Sequence, residues 1–259
     1  MPSPRRRGDG ERASLTGLRG VRPPLRRRGP PRTIHVLAAD LDRTLVAPRA
    51  RPGTGARTAL REARALGLHT LLASGRTHAS VREFARLLGE VDGIVAENGA
   101  VVEVPLGAPP IVRGSTTAAR VRARLRLRGA LRAEVGTVVV SLPRSSRAAA
   151  ALRGLPVHLV PNVDRVMVLP RGVTKGAGVA TALARLGVPA GEYAAIGDAE
   201  NDLDLLRGAA LAGAVGNAEP RVRAVADYVA RGRYARGVLE FVRGPIARRV
   251  AATAERGHR

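Results

Sequence analysis

From residue 34 onward, short apolar runs alternate with segments whose apolar residues recur every three or four positions. The runs at 34–39, 69–73, 93–96 and 193–196 have the length of strands. The periodic segments predict helices at 58–66, with Leu60, Ala63 and Leu66 on one side and Gly67 as the stop, at 80–88, and at 178–186, where Val179, Ala182, Leu183 and Leu186 fall at i, i+3, i+4 and i+7. Strand and helix in alternation predict βαβ units and a parallel sheet covered on both faces, an α/β fold. Two further runs, 211–215 and 228–230, complete the sheet, and a helix near 238–242 closes it.

Residues 107–170 follow another rhythm: a basic helix at 116–127, a strand at 135–142, a short helix at 145–152, and two strands around Pro161, Asn162, Val163 and Asp164. This predicts a small α/β unit inserted into the core, so that the core is built from 33–106 and 171–259. Residues 1–32 are rich in Arg, Pro and Gly with little apolar periodicity and are expected to be disordered.

Composition narrows the class. A chain of 259 residues with 45% apolar residues can bury a core. The absence of Cys removes disulfides and thiolate metal sites, and with no apolar run of bilayer length the expectation is a cytoplasmic protein without a membrane partner. The net charge of +23 is uneven, with +8 in residues 1–32 and +9 in 107–170. Such a surface attracts nucleic acid or steers small anions into a cleft. Two Phe, three Tyr and no Trp leave little to stack on bases, which disfavours nucleic acid. Among 44 basic residues the sole lysine is Lys175, a compact charge that a planar guanidinium does not imitate at close quarters.

Four short motifs carry candidate chemistry. Three predicted strands end at Asp40, Ser74 and Asp198, which a parallel sheet would gather beyond its carboxyl edge. In Asp40-Leu41-Asp42-Arg43-Thr44, one carboxylate can attack while the second serves as acid and base. Ser74-Gly75-Arg76-Thr77 offers a hydroxyl and loop amides to a phosphate oxygen. Lys175 can neutralise a phosphate beside a carboxylate. Gly197-Asp198-Ala199-Glu200-Asn201-Asp202 concentrates acids after a strand, and hard oxygens beside a phosphate favour Mg²⁺. Taken singly, these are also a solvated turn, a helix cap, a stray lysine and acids at a helix start.

Together, in this order and strand context, they resemble the haloacid dehalogenase superfamily of phosphatases, over residues 34–242. The inserted unit and the Glu97-Asn98-Gly99-Ala100 turn resemble its subgroup with an α/β cap of the second type. Residues 197–204, Val215-Gly216-Asn217-Ala218 and Ala226-Asp227-Tyr228-Val229 are similar to the archaeal type of phosphoglycolate phosphatase. The resemblance implies a Rossmann-like core with a cap at 107–170 and hydrolysis through an aspartyl phosphate. It implies Asp40 as nucleophile and Asp42 as acid and base, and Asp40, Asp42, Asp198 and Asp202 as the Mg²⁺ set. Ser74, Gly75, Lys175 and Asn201 are the expected substrate contacts. Phosphoglycolate is the expected substrate, with sugar phosphates and phosphorylated osmolyte precursors as alternatives. Arg43 departs from the family's usual Gly, and an extra guanidinium there favours a second anionic group on the substrate. The arginines of the 116–127 helix and Arg128 have two readings, a solvated face or an anion-gathering surface. The five His residues form no ligand spacing, and the sequence leaves oligomeric state open, a homodimer included.

Overall fold

The computed structural model describes residues 32–126, 134–143, 150–162 and 165–257. The expectations for most of 1–32, for Arg128, for the first part of the 145–152 helix and for Val163 and Asp164 lie outside these residues.

An eight-stranded sheet forms the centre, in the order β12-β11-β10-β1-β2-β3-β4-β5. β1 (Val36–Asp40), β2 (His69–Ala73), β3 (Gly93–Ala96), β10 (Tyr193–Gly197), β11 (Leu211–Ala214) and β12 (Tyr228–Val229) are parallel. β4 (Val101–Glu103) and β5 (Ile111–Val112) extend it antiparallel, carrying the main sheet past the boundary expected at residue 106. β1 is buried at every position, as a strand covered on both faces requires. Helices α1 (Thr54–Ala65), α2 (His78–Leu88) and α4 (Lys175–Arg185) connect the strands, α3 being Ser115–Arg126. α4 begins at Lys175 because the Thr174 hydroxyl caps it, accepting from the Ala177 N–H at 3.2 Å.

The chain runs from β1 outward through β2 and β3, then returns to β10 on the other side of β1. The strand order therefore reverses between β1 and β10, which opens a crevice at their carboxyl ends. Asp40 closes β1, and Asp198 follows β10 directly.

A second, antiparallel sheet has the order β6-β7-β9-β8, from β6 (Glu134–Val135), β7 (Val140–Pro143), β8 (Val157–Asn162) and β9 (Arg165–Pro170). One of its faces forms a small core in which Val140, Leu142 and Val168 meet Val121 and Leu125 of α3. α3 thus lies behind this sheet, with Arg120 and Arg124 exposed. That favours the solvated-face reading of its arginines. The single strand expected at 135–142 is instead two strands separated by a bend at 136–139. The chain also continues past 242 through a wide turn at Val242–Ile246, which contains Pro245, into a helix at Ala247–Gly257 that the apolar pattern did not signal. No helix of the described residues is long and apolar enough to cross a membrane.

Candidate functional site

At the crevice, Asp40, Asp198 and Asp202 each place a carboxylate oxygen within 4.8 Å of the others. All three are buried. The Lys175 ammonium lies between two of them and donates to Asp40 Oδ1 and Asp202 Oδ1, both at 2.6 Å. The second oxygen of Asp202 accepts from the backbone N–H groups of Asp198 and Ala199 at 3.0 and 3.1 Å, so Asp202 holds the loop that carries Asp198. Gly197 permits this, since a Cβ there would stand 2.5 Å from Asp202 Oδ2.

The electrostatics follow from burial. Burial pushes Asp40 well above the usual carboxylate range, against the pull of the Lys175 ammonium. For Lys175, burial works against the charged form, yet Asp202 and Asp40 hold it above its ordinary value. Burial, aided by Asp202, pushes Asp198 up to about 7, while Arg43, Lys175 and the Thr44 hydroxyl oppose the shift. The hydroxyl of Thr44 reaches Asp198 Oδ1 at 3.4 Å. Asp198 Oδ2 is buried and accepts no hydrogen bond. Arg43 Nε stands 3.0 Å from that oxygen as a charge pair, out of hydrogen-bond alignment.

A buried oxygen without a hydrogen bond, in a set of three carboxylates offset by one ammonium, is the donor chemistry of a hard divalent cation. The residues present therefore fit Mg²⁺.

Asp42 stands apart from this cluster. Its half-exposed carboxylate is gripped by Arg76, with Nε at 2.8 Å from Oδ2 and Nη2 at 2.6 Å from Oδ1. The Arg76 guanidinium in turn lies over the Phe84 ring, 4.4 Å from its centroid. Ser74 is fully buried, and its hydroxyl accepts from the Arg76 backbone N–H at 3.2 Å. Asn201 donates to Asn98 Oδ1 at 3.2 Å, and Asn98 to the Met167 sulfur at 3.1 Å.

Between the carboxyl edge of the large sheet and the second sheet lies a cavity of about 660 Å³. Asp40, Asp42, Gly75, Asp198 and Asn201 line it. Ser74, Lys175 and Asp202 do not, and support the lining from behind. Sequence reasoning missed Glu97. Its backbone is left-handed, φ 52°, and its buried carboxylate accepts from the N–H groups of Thr137, Val138 and Val139 at 2.8, 2.8 and 2.9 Å. These bonds pull residues 136–139 out of strand pairing, which is why the expected strand breaks. The Glu97-Asn98-Gly99 turn was visible in the sequence, but its partner 40 residues on was not.

A family profile described as haloacid dehalogenase-like hydrolase matches residues 37–108 and 162–242. The phosphoglycolate phosphatase of Archaeoglobus fulgidus is 31% identical over 211 residues, spanning 79% of this chain and 93% of its own. Among solved structures, a Thermoplasma acidophilum protein superposes with a TM-score of 0.71 at 18% identity, over 82% of this chain and 97% of its own. A subclass IIB sugar phosphatase does so with a TM-score of 0.62 at 22% identity, over 76% and 93%. At these identities the structural likeness concerns the fold alone.

Proposed function

The chain belongs to the haloacid dehalogenase-like hydrolase family and is a phosphatase, and from that premise we propose that it hydrolyses 2-phosphoglycolate with Mg²⁺ through an acyl phosphate on Asp40. The observation that carries the mechanism is the buried set at the strand ends, where Lys175 bridges Asp40 and Asp202 while Asp198 keeps an oxygen without a hydrogen bond.

Asp40 attacks phosphorus, forming a carboxylate–phosphorus bond as the ester P–O bond breaks, and Asp42 gives its proton to the departing alkoxide. Water then attacks the acyl phosphate, Asp42 takes the water's proton, and inorganic phosphate leaves Asp40 free. Lys175 holds Asp40 in line and offsets its charge as the anionic substrate approaches. Arg76 lines the same cavity as Asp42, so an arriving phosphate competes with Asp42 for the guanidinium. Asp40, Asp198 and the chain at Asp42 would hold Mg²⁺, with Asp202 behind them, and the ion would supply charge screening for the phosphoryl group. Ser74 and Gly75 shape the loop facing the phosphate, Asn201 lies on the rim, and the second sheet acts as a cap that excludes bulk water.

Phosphoglycolate is favoured by the name of the Archaeoglobus relative. A sugar phosphate is the second reading, favoured by the subclass IIB neighbour. The test is phosphate release from both ester classes with and without Mg²⁺. Release from phosphoglycolate is expected to exceed that from sugar phosphates, to stop with chelator, and to fall more than roughly 10³-fold in Asp40→Asn. Retained turnover in Asp40→Asn would refute the covalent route.

A further inference from the structure

Three loops follow one another along the carboxyl edge of the large sheet, because β11, β10 and β1 are neighbours in that order. The loops after β1 and β10 carry Asp42 and Asp198. The third, after β11, is the turn Val215-Gly216-Asn217-Ala218, a motif that the chemistry of the site has so far left without a part. It touches both of the others. The Asn217 side chain spans the end of β10 and donates through Nδ2 to the Arg43 carbonyl oxygen at 2.8 Å. Two residues on, the Glu219 backbone N–H donates to the Asp198 carbonyl oxygen, also at 2.8 Å.

The amide of Asn217 is used at both ends, since its Oδ1 accepts from the Tyr234 N–H at 3.0 Å. Arg43 and Tyr234 both have left-handed backbone, φ 62° and 52°, which non-glycine residues keep only where their surroundings fix them. A carbonyl on one side and an N–H on the other call for one donor and one acceptor on a short stem, which asparagine supplies. The turn is itself braced: the Gly216 N–H donates to the Gly232 carbonyl oxygen at 2.8 Å, and Arg223 Nε to that of Ala218 at 2.9 Å. Opposite it, residues 41–46 close on themselves, with Arg43 N–H to the Val46 carbonyl oxygen at 2.7 Å and Val46 N–H to that of Leu41 at 2.9 Å. Asn217 thus grips a tight loop at the residue after Asp42. Arg76 holds the Asp42 carboxylate inside the cavity, but an arriving phosphate competes for that guanidinium. Once Arg76 turns to the phosphate, the backbone hold on Asp42 remains.

We propose that Asn217 is a positioning residue for the acid–base step: by fixing the Arg43 peptide, it keeps the Asp42 carboxyl where it can protonate the leaving oxygen. The proposal rests on the reading of Asp42 as acid and base given above. Asn217 lies outside the cavity lining and acts through Arg43.

The test measures kcat/KM at saturating Mg²⁺ for two esters: 2-phosphoglycolate, whose alkoxide needs a proton to leave, and p-nitrophenyl phosphate, whose phenolate leaves without one. The proteins are the unaltered chain, Asn217→Asp, Asn217→Ala and Asp42→Asn. Asn217→Asp keeps the acceptor for Tyr234 and loses the donor to Arg43, while Asn217→Ala removes both without adding a charge. Each is expected to lower kcat/KM for phosphoglycolate about tenfold or more and that for p-nitrophenyl phosphate less than about threefold, a milder form of the Asp42→Asn pattern. The ratio of the two constants within one preparation does not depend on how much of a variant folds. A ratio unchanged in both Asn217 variants, but shifted in Asp42→Asn, overturns the inference alone and leaves Asn217 as a brace of the fold. An unaltered protein inactive on phosphoglycolate, or an Asp42→Asn protein with an unchanged ratio, removes the reading of Asp42 and the inference with it.

Discussion

Arg43 occupies a left-handed backbone position, φ 62°, that glycine adopts without steric cost. The first-motif loop thus forms with an arginine where the family usually has glycine, and the guanidinium lands beside Asp198 Oδ2. There it stands near the oxygen a divalent cation needs. Arg43→Gly relieves the strain and removes the competing charge together, so Mg²⁺ should bind about three- to tenfold more tightly. Isothermal titration would show this, and unchanged affinity would mean that Arg43 swings clear at no cost. Asp198 sets the pH dependence. Its folded-state value near 7 lies above the ordinary 3.8, so the protonated form is favoured by folding. The stability it contributes in metal-free protein is full below about pH 4 and is lost as pH rises through 7. Cation binding needs the carboxylate and expels that proton, so affinity should rise by up to about tenfold per pH unit between 5 and 7 and then level off. A flat profile from pH 5 to 8 would contradict this.

At the scale of elements, the junction between Glu97 and the 136–139 bend decides the shape of the cavity wall. Gly136 is needed there because a Cβ would stand 2.6 Å from the Glu97 carboxylate. Glu97→Gln keeps the shape but turns an NH₂ group toward backbone N–H donors, leaving buried donors without acceptors. A loss of about 2–4 kcal/mol is expected in urea denaturation, with a higher KM as the wall loosens. A change in neither would show that the bend holds itself. This junction also marks where the sequence stops being legible. Asp40, Ser74 and Asp198 could be read because each ends or follows an apolar run, and a parallel sheet places such ends along one edge. No spacing rule reaches from Glu97 to residue 137, from Arg76 to Asp42, or from Arg165 to Ser141. The first depends on how two sheets face each other, the second on two loops meeting at the edge of the large sheet, and the third on the register of neighbouring strands, none of which local periodicity encodes. The helix at Ala247–Gly257 escaped for a simpler reason: it is amphipathic, but its apolar face is made of alanines with Val250 as its one large apolar residue, so no recurring large apolar positions mark it.

For the whole molecule, every residue assigned to the site falls within 32–257. Deleting residues 1–31 should therefore leave kcat unchanged. With a net charge of +23, kcat/KM for an anionic ester should fall as NaCl rises, through slower encounter and not slower chemistry. Loss of kcat on deletion would bring the basic segment into the site and revive a nucleic-acid role. The strand reversal that gathers the acids also buries Lys175, which is only 1% exposed. As the chain's sole lysine, it leaves the folded surface without a lysine amine for acylating reagents. Modification of that side chain thus requires the crevice around it to come apart, and the rate at which an amine reagent marks residue 175 becomes a clock for the opening of the core.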